Sequence, residues 1–140
     1  MSASTTPKLY TAQVLALATD LAAYPWDDAL PLHGTARSRS CGSTLTLGLA
    51  LDPKDRIIGI GLRAHACAIG QAAAAVFAGA AVGRDGDSIR QTSRDITAWL
   101  AGEGAIPDWP GLDAIAAARA YPGRHGAILL AWQAASDVLP

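Results

Sequence analysis

The chain has 140 residues, of which 51% are hydrophobic and 16% charged, and its 11 basic and 12 acidic side chains leave a formal net charge of −1. That length suits one domain, 1–140, with its own core, and the composition is too apolar for a disordered chain. The charge balance gives no footprint for nucleic acid or an anionic membrane, so neither is expected as a partner.

Two cysteines, Cys41 and Cys67, are too few for a disulfide framework. The first 20 residues lack a continuous apolar block, being interrupted by Thr11, Gln13, Thr19 and Asp20. The expectation is therefore a cytoplasmic protein whose thiols stay free.

In chain order, Thr6 and Pro7 read as the cap and first residue of a helix, with Tyr10, Val14, Leu17 and Leu21 on its apolar face. Tyr24-Pro25 ends it. Trp26 to Ser40 is loop-like, with room for a short strand over 35–40. Thr44 to Leu51 alternates strictly, with Leu45, Leu47, Leu49 and Leu51 on one side, as in a half-buried strand. Asp52-Pro53-Lys54-Asp55 is a turn, and Arg56 to Ala64 alternates again, placing Ile58, Ile60 and Leu62 on one face. Two such strands form an antiparallel hairpin that needs a cover.

The cover is sought downstream. Cys67 to Val82 has the alanine content of a helix, closed by Gly83. The apolar run from Ala66 to Gly83 is too rich in Ala and Gly, and too interrupted by Gln71, to be a span of about 20 strongly apolar residues. Asp87 is read as the cap of a further helix with Ile89, Ile96, Trp99 and Leu100 on one side. Pro107 to Pro110 is a loop, Leu112 to Ala120 a short helix, and His125 to Leu139 a last helix. The order predicts an α+β domain, with helices packed on one face of a small antiparallel sheet.

Chemistry concentrates at the cysteines. Cys41 precedes the first hairpin strand and Cys67 stands where the second strand hands over to a helix. A hairpin folds back on itself, so both fall at one end of the sheet. Unpaired N–H groups at a helix start favour a thiolate, the form that binds soft metals and attacks persulfide sulfur. Gly42 frees the backbone beside Cys41. Position alone leaves open that both are small buried residues.

The order Cys41-Gly42, hairpin, then Cys67-Ala68-Ile69-Gly70-Gln71-Ala72-Ala73-Ala74 resembles the NifU N-terminal (IscU-like) iron–sulfur cluster assembly family, whose members carry Cys-Gly-Asp and then Gly-Cys before an alanine- and serine-rich helix. Tyr121-Pro122-Gly123-Arg124-His125-Gly126-Ala127-Ile128-Leu129-Leu130-Ala131-Trp132 resembles the family's last helix, which opens with Pro-x-Arg/Lys and a third cysteine. The match runs from about Tyr10 to Val138.

The resemblance implies a three-stranded antiparallel sheet with helices on one face, a SufE/NifU-like fold. It implies a scaffold rather than an enzyme, holding iron, an iron–sulfur cluster or persulfide sulfur through Cys41 and Cys67. It implies partnership with a cysteine desulfurase and other assembly proteins, as a monomer or weak homodimer. The chain departs from the pattern where Ser43 replaces the aspartate and Ala127 the third cysteine. Two thiolates leave half of a tetrahedral shell empty. The expected cargo (cluster, iron or zinc) is then held weakly and transiently.

His125 is the nearest replacement ligand. Two residues of helix are about 200° of rotation, so it reaches the place of Ala127 only if that turn is irregular. His65, Ser43 and Arg124 are accessory candidates, and His33 a weaker one. Two other functions fit the sequence: a metal-free sulfur acceptor that needs one thiolate, and a non-catalytic descendant that binds a protein partner.

Overall fold

A computed structural model describes residues 8–39 and 42–140. Its sheet has three antiparallel strands in the order β1-β2-β3, namely β1 (Leu32–Arg37), β2 (Thr44–Leu51) and β3 (Ile57–His65). Among the described residues, four α-helices accompany it: α1 (Ala12–Asp20), α2 (Ala68–Ala81), α3 (Gly86–Leu100) and α4 (His125–Val138). Leu112–Ala120 and Pro122–Arg124 are 3₁₀ turns leading into α4. The α2 and α4 helices cover one face of the sheet, while α1 packs on α2 and α3 on α4. This is the α+β arrangement expected. Among the described residues, no helix is long and apolar enough to cross a membrane.

The strand alternation holds, with one correction. Leu45, Leu47 and Leu49 are buried, and they pair with Ala64, Leu62 and Ile60. A β-bulge between Ala50 and Leu51 shifts the register, so Leu51 pairs with Ile57. Ile57 is fully buried and Ile58, expected on the core face, is 58% exposed. One extra residue in a strand turns every side chain beyond it to the other face. The first strand begins at Leu32 rather than Thr35.

Two helix starts also differ. Thr11 caps α1 by accepting from the Val14 N–H at 3.1 Å, and residues 8–10 precede the helix. Thr6 and Pro7 lie outside the described residues. Asp85, not Asp87, caps α3, its carboxylate accepting from the Ser88 N–H at 3.0 Å. The two aspartates are both adjacent to Gly86 in sequence, but only Asp85 has the extended backbone a cap needs. The apolar stripe is as expected: Ile89, Ile96, Trp99 and Leu100 are buried.

On the sheet's outer face, Gly48, Gly59 and Gly61 leave a trough that Leu30 occupies; a Cβ on Gly48 would stand 3.0 Å from the Leu30 Cβ. The segment carrying Leu30 runs along β3, where the Leu62 N–H donates to the Tyr24 carbonyl at 2.9 Å. At the start of β3, the Ile57 N–H donates to the Arg84 carbonyl at 2.9 Å and the Ile57 carbonyl accepts from Gly83 N–H at 2.7 Å. The core centres on Phe77 of α2, Trp132 of α4 and Trp109, whose Nε1 donates to the Val76 carbonyl.

The hairpin turn is organised by Asp52. Its carboxylate accepts from the Lys54 and Arg56 backbone N–H groups, each at 2.9 Å, and from Arg56 Nε at 3.2 Å. The Arg56 N–H foremost, with help from Lys54 and the Arg56 guanidinium, holds this carboxyl below the usual carboxylate value. A depressed folded-state pKa adds stability that is complete above the unfolded pKa and is lost as pH falls through the folded one. The stability gap between wild type and Asp52→Asn is therefore expected to be constant at neutral pH and to shrink in acid below about pH 4. Urea unfolding across that range measures it, and a gap unchanged by acid would refute the assignment.

Candidate functional site

The site lies at the end of the sheet where β2 begins and β3 ends. The register pairs Thr44 with both Arg37 and His65, so the β1–β2 turn and the β3–α2 junction are neighbours. In that turn the Ser38 N–H donates to the Ser43 carbonyl at 2.8 Å and the Gly42 N–H to the Ser38 carbonyl at 3.0 Å. Gly42 sits at φ 70°, a left-handed conformation that suits glycine. Ser43 is 5% exposed. Cys41, next to Gly42 in sequence, lies outside the described residues.

Cys67 is the N-cap of α2, with extended backbone (φ −64°, ψ 170°), and it is half-buried. Its side chain makes no capping bond, while its carbonyl accepts from the Gln71 N–H at 3.0 Å. The Gln71 side chain reaches back to the Ala66 carbonyl at 3.0 Å. The thiol thus stands at the N-terminal end of a 14-residue helix, as the sequence indicated.

The start of α4 meets the same corner. Ala127 is 1% exposed. A Cβ on Gly70, one turn into α2, would lie 3.3 Å from the Ala127 Cβ and 2.7 Å from the Ala66 Cβ. The first turns of α2 and α4 therefore touch through small residues. Gly70 belongs to the Cys67–Ala74 motif, and a glycine in the first turn of an alanine-rich helix is the sequence signal of this close approach.

His125 opens α4, two residues before Ala127. Its backbone is regular helix (φ −60°, ψ −41°), so the irregular turn it would need to take the place of Ala127 is not there. The ring Nε2 lies 2.8 Å from the Arg119 carbonyl. A carbonyl only accepts, so Nε2 carries the proton and a neutral ring keeps its lone pair on Nδ1.

Arg124 precedes α4, and its guanidinium donates to the Tyr10 hydroxyl at 3.2 Å, tying the segment before α1 to the rim of the site. His65 is exposed at the end of β3. His33 lies away from the corner, its ring 4.9 Å from that of Trp26 on the outer face. Among the described residues, no three His, Cys, Asp or Glu side chains form a group able to hold a metal ion.

No protein-family model and no curated protein sequence matches the chain. Solved structures do match. The crystal structure of the N-terminal part of a nitrogen-fixing NifU-like protein from Brucella abortus superposes with a TM-score of 0.81 at 25% identity, over 93% of this chain and 91% of that one. A protein assigned as an iron–sulfur cluster assembly scaffold for the SUF system of the thermophile Fervidobacterium islandicum superposes with a TM-score of 0.82 at 19% identity, over 93% and 96% of the two chains. The fold is NifU-like. Within that NifU-like fold, the chain has a thiol at the α2 cap and a methyl group where α4 meets it.

Proposed function

We propose that this chain is an iron–sulfur cluster assembly scaffold-like protein, not an enzyme, that carries iron, nascent cluster or persulfide sulfur on Cys41 and Cys67. The observation that carries the reading is the pairing of Thr44 with His65, which brings the chain beside Cys41 to the junction that holds Cys67. The NifU-like fold and the scaffold role assigned to the Fervidobacterium protein support it. By the same likeness, a cysteine desulfurase and other assembly proteins are the proposed partners, and the cytoplasm the proposed place. Iron and sulfide are cargo in this role, loaded and then released.

The donor set is soft: two thiols, with Cys67 at the N-terminal end of α2. His125, at the start of α4, and Ser43, 5% exposed, are the further candidate donors in this reading. A site short of four protein ligands holds its cargo with open positions, as transfer requires.

Anaerobic competition titration with ferrous iron or zinc tests this. Wild type is expected to bind, and Cys41→Ala and Cys67→Ala each to lose about tenfold or more in affinity, since each removes half of the thiolates. His125→Ala is expected to stay within about threefold of wild type, the ordinary scale of a lost exposed side chain. Equal binding by all four proteins, or by none, would remove the metal reading. Persulfide on Cys41 or Cys67 after incubation with a cysteine desulfurase, read by mass spectrometry, would then establish the sulfur-acceptor alternative.

A further inference from the structure

A half-open recess of about 290 Å³ lies between α1, α2 and the loop before the 3₁₀ turns. That is the small end of ligand-pocket sizes. Leu17, Ala75, Val76 and Pro110 give it apolar walls, and Asp20 and Tyr24 bring its polar side chains. Ala75 stands eight residues along the chain from the Cys67 cap, about 12 Å of helix, so the recess is separate from the thiol corner.

Two features there run against the stability of the fold. Asp20 is the last residue of α1, whose last turn holds no basic residue. A carboxylate at that end faces the negative pole of the helix dipole, the reverse of the stable order. Asp20 has no hydrogen-bond or ion-pair partner among the described residues. Gly79 lies inside α2, where glycine weakens a helix relative to alanine. Packing does not require it. An added Cβ would meet only the Tyr24 hydroxyl, at 3.9 Å, an ordinary contact. That hydroxyl also has no partner among the described residues.

We propose that the recess binds a small organic cation, a primary ammonium on a short apolar body. The ammonium donates to the Asp20 carboxylate and the Tyr24 hydroxyl oxygen, both of which accept. The apolar body lies against Leu17, Val76 and Pro110, over the gap left by Gly79. The bound cation supplies the positive charge that the last turn of α1 lacks.

Backbone amide NMR shifts of the full chain test this, with phenethylamine and hexylamine as probes. Each is expected to bind with a Kd of about 1 mM or tighter, the scale for so few atoms, with shifts centred on Asp20, Tyr24, Gly79 and Gly111. Phenethyl alcohol, the neutral analogue, should bind wild type about fivefold more weakly or worse, and phenethylamine should lose as much on Asp20→Asn, the scale of one charge-assisted hydrogen bond near the surface. Gly79→Leu fills the recess and should abolish binding with an unchanged circular dichroism spectrum, leucine being the better helix former. Asp55→Asn, in the β2–β3 turn, should bind as wild type, which excludes a general attraction of amines to acids. N-acetyl-lysine amide carries the same ammonium on a peptide stem and should bind more weakly, because its amides would lie unpaired against apolar walls.

No saturable shift with either amine up to about ten times that Kd would overturn the proposal. Equal binding of alcohol and amine would too, as would undiminished binding by Asp20→Asn or Gly79→Leu. Tighter binding of the lysine amide would replace the free amine by a side chain of a protein partner. None of these outcomes bears on the thiols, whose metal titration reads a separate site.

Discussion

Replacing Trp132 by alanine is expected to cost about 3–5 kcal/mol, the range for deleting a large aromatic from a packed core. Trp132 is 0% exposed. Its ring lies 5.2 Å from Phe77 at 83° and 5.2 Å from Trp109 at 71°, while Phe77 and Trp109 stack at 5.7 Å and 13°. The three come from α2, α4 and the loop before the 3₁₀ turns, so this cluster joins elements that the sheet alone does not. Trp132→Phe should cost much less. Trp132 Nε1 has no hydrogen-bond partner among the described residues, so phenylalanine removes a buried unpaired donor along with some volume. Urea unfolding followed by circular dichroism gives both values; equal losses for Phe and Ala would show that the donor is satisfied and the ring's volume matters less than its identity.

Gly34→Ala is expected to cost about 1–3 kcal/mol, the range for overpacking a close contact. Gly34 faces α4, and an added Cβ would stand 2.4 Å from the Ala134 carbonyl oxygen, 3.1 Å from its carbonyl carbon and 3.3 Å from Val138 Cγ1. Backbone cannot swing aside as a side chain can, so α4 must lift from β1. Gly123→Ala is the control, with nothing within 4 Å of its added Cβ, and should fall within about 0.5 kcal/mol of wild type. Similar midpoints for the two variants would mean that α4 slides at no cost.

The strand alternation of the hairpin and the stripe on α3 were legible because one-sided burial imposes a period on the residues themselves. The bulge at Ala50 and Leu51 was not, since Ile57 and Ile58 are chemically alike and only the register decides which goes in. The two aspartates beside Gly86 were ambiguous for the same reason: capping depends on backbone angles, and both residue types qualify. The trough of Gly48, Gly59 and Gly61 was missed because a glycine announces room without saying what fills it.

At the site, the position of Cys67 followed from the strand-to-helix change around it. The orientation of His125 could not, because it depends on whether the first turn of α4 is regular. Ala127 abuts Gly70 in the first turn of α2, a contact that no pattern in the sequence announces.

The backbone bonds along β3 bear on how the protein behaves in a crowded solution. An outermost strand normally offers a row of unpaired N–H and C=O groups on which another chain can add and aggregation can begin. Here the outward N–H of Leu62 is taken by Tyr24, and both backbone groups of Ile57 by Gly83 and Arg84. A template interrupted at its start and again at Leu62 cannot seat an incoming strand in continuous register. The segment before β1 and the link between α2 and α3 therefore serve as guards against fibril growth, although neither contributes a residue to the thiol corner.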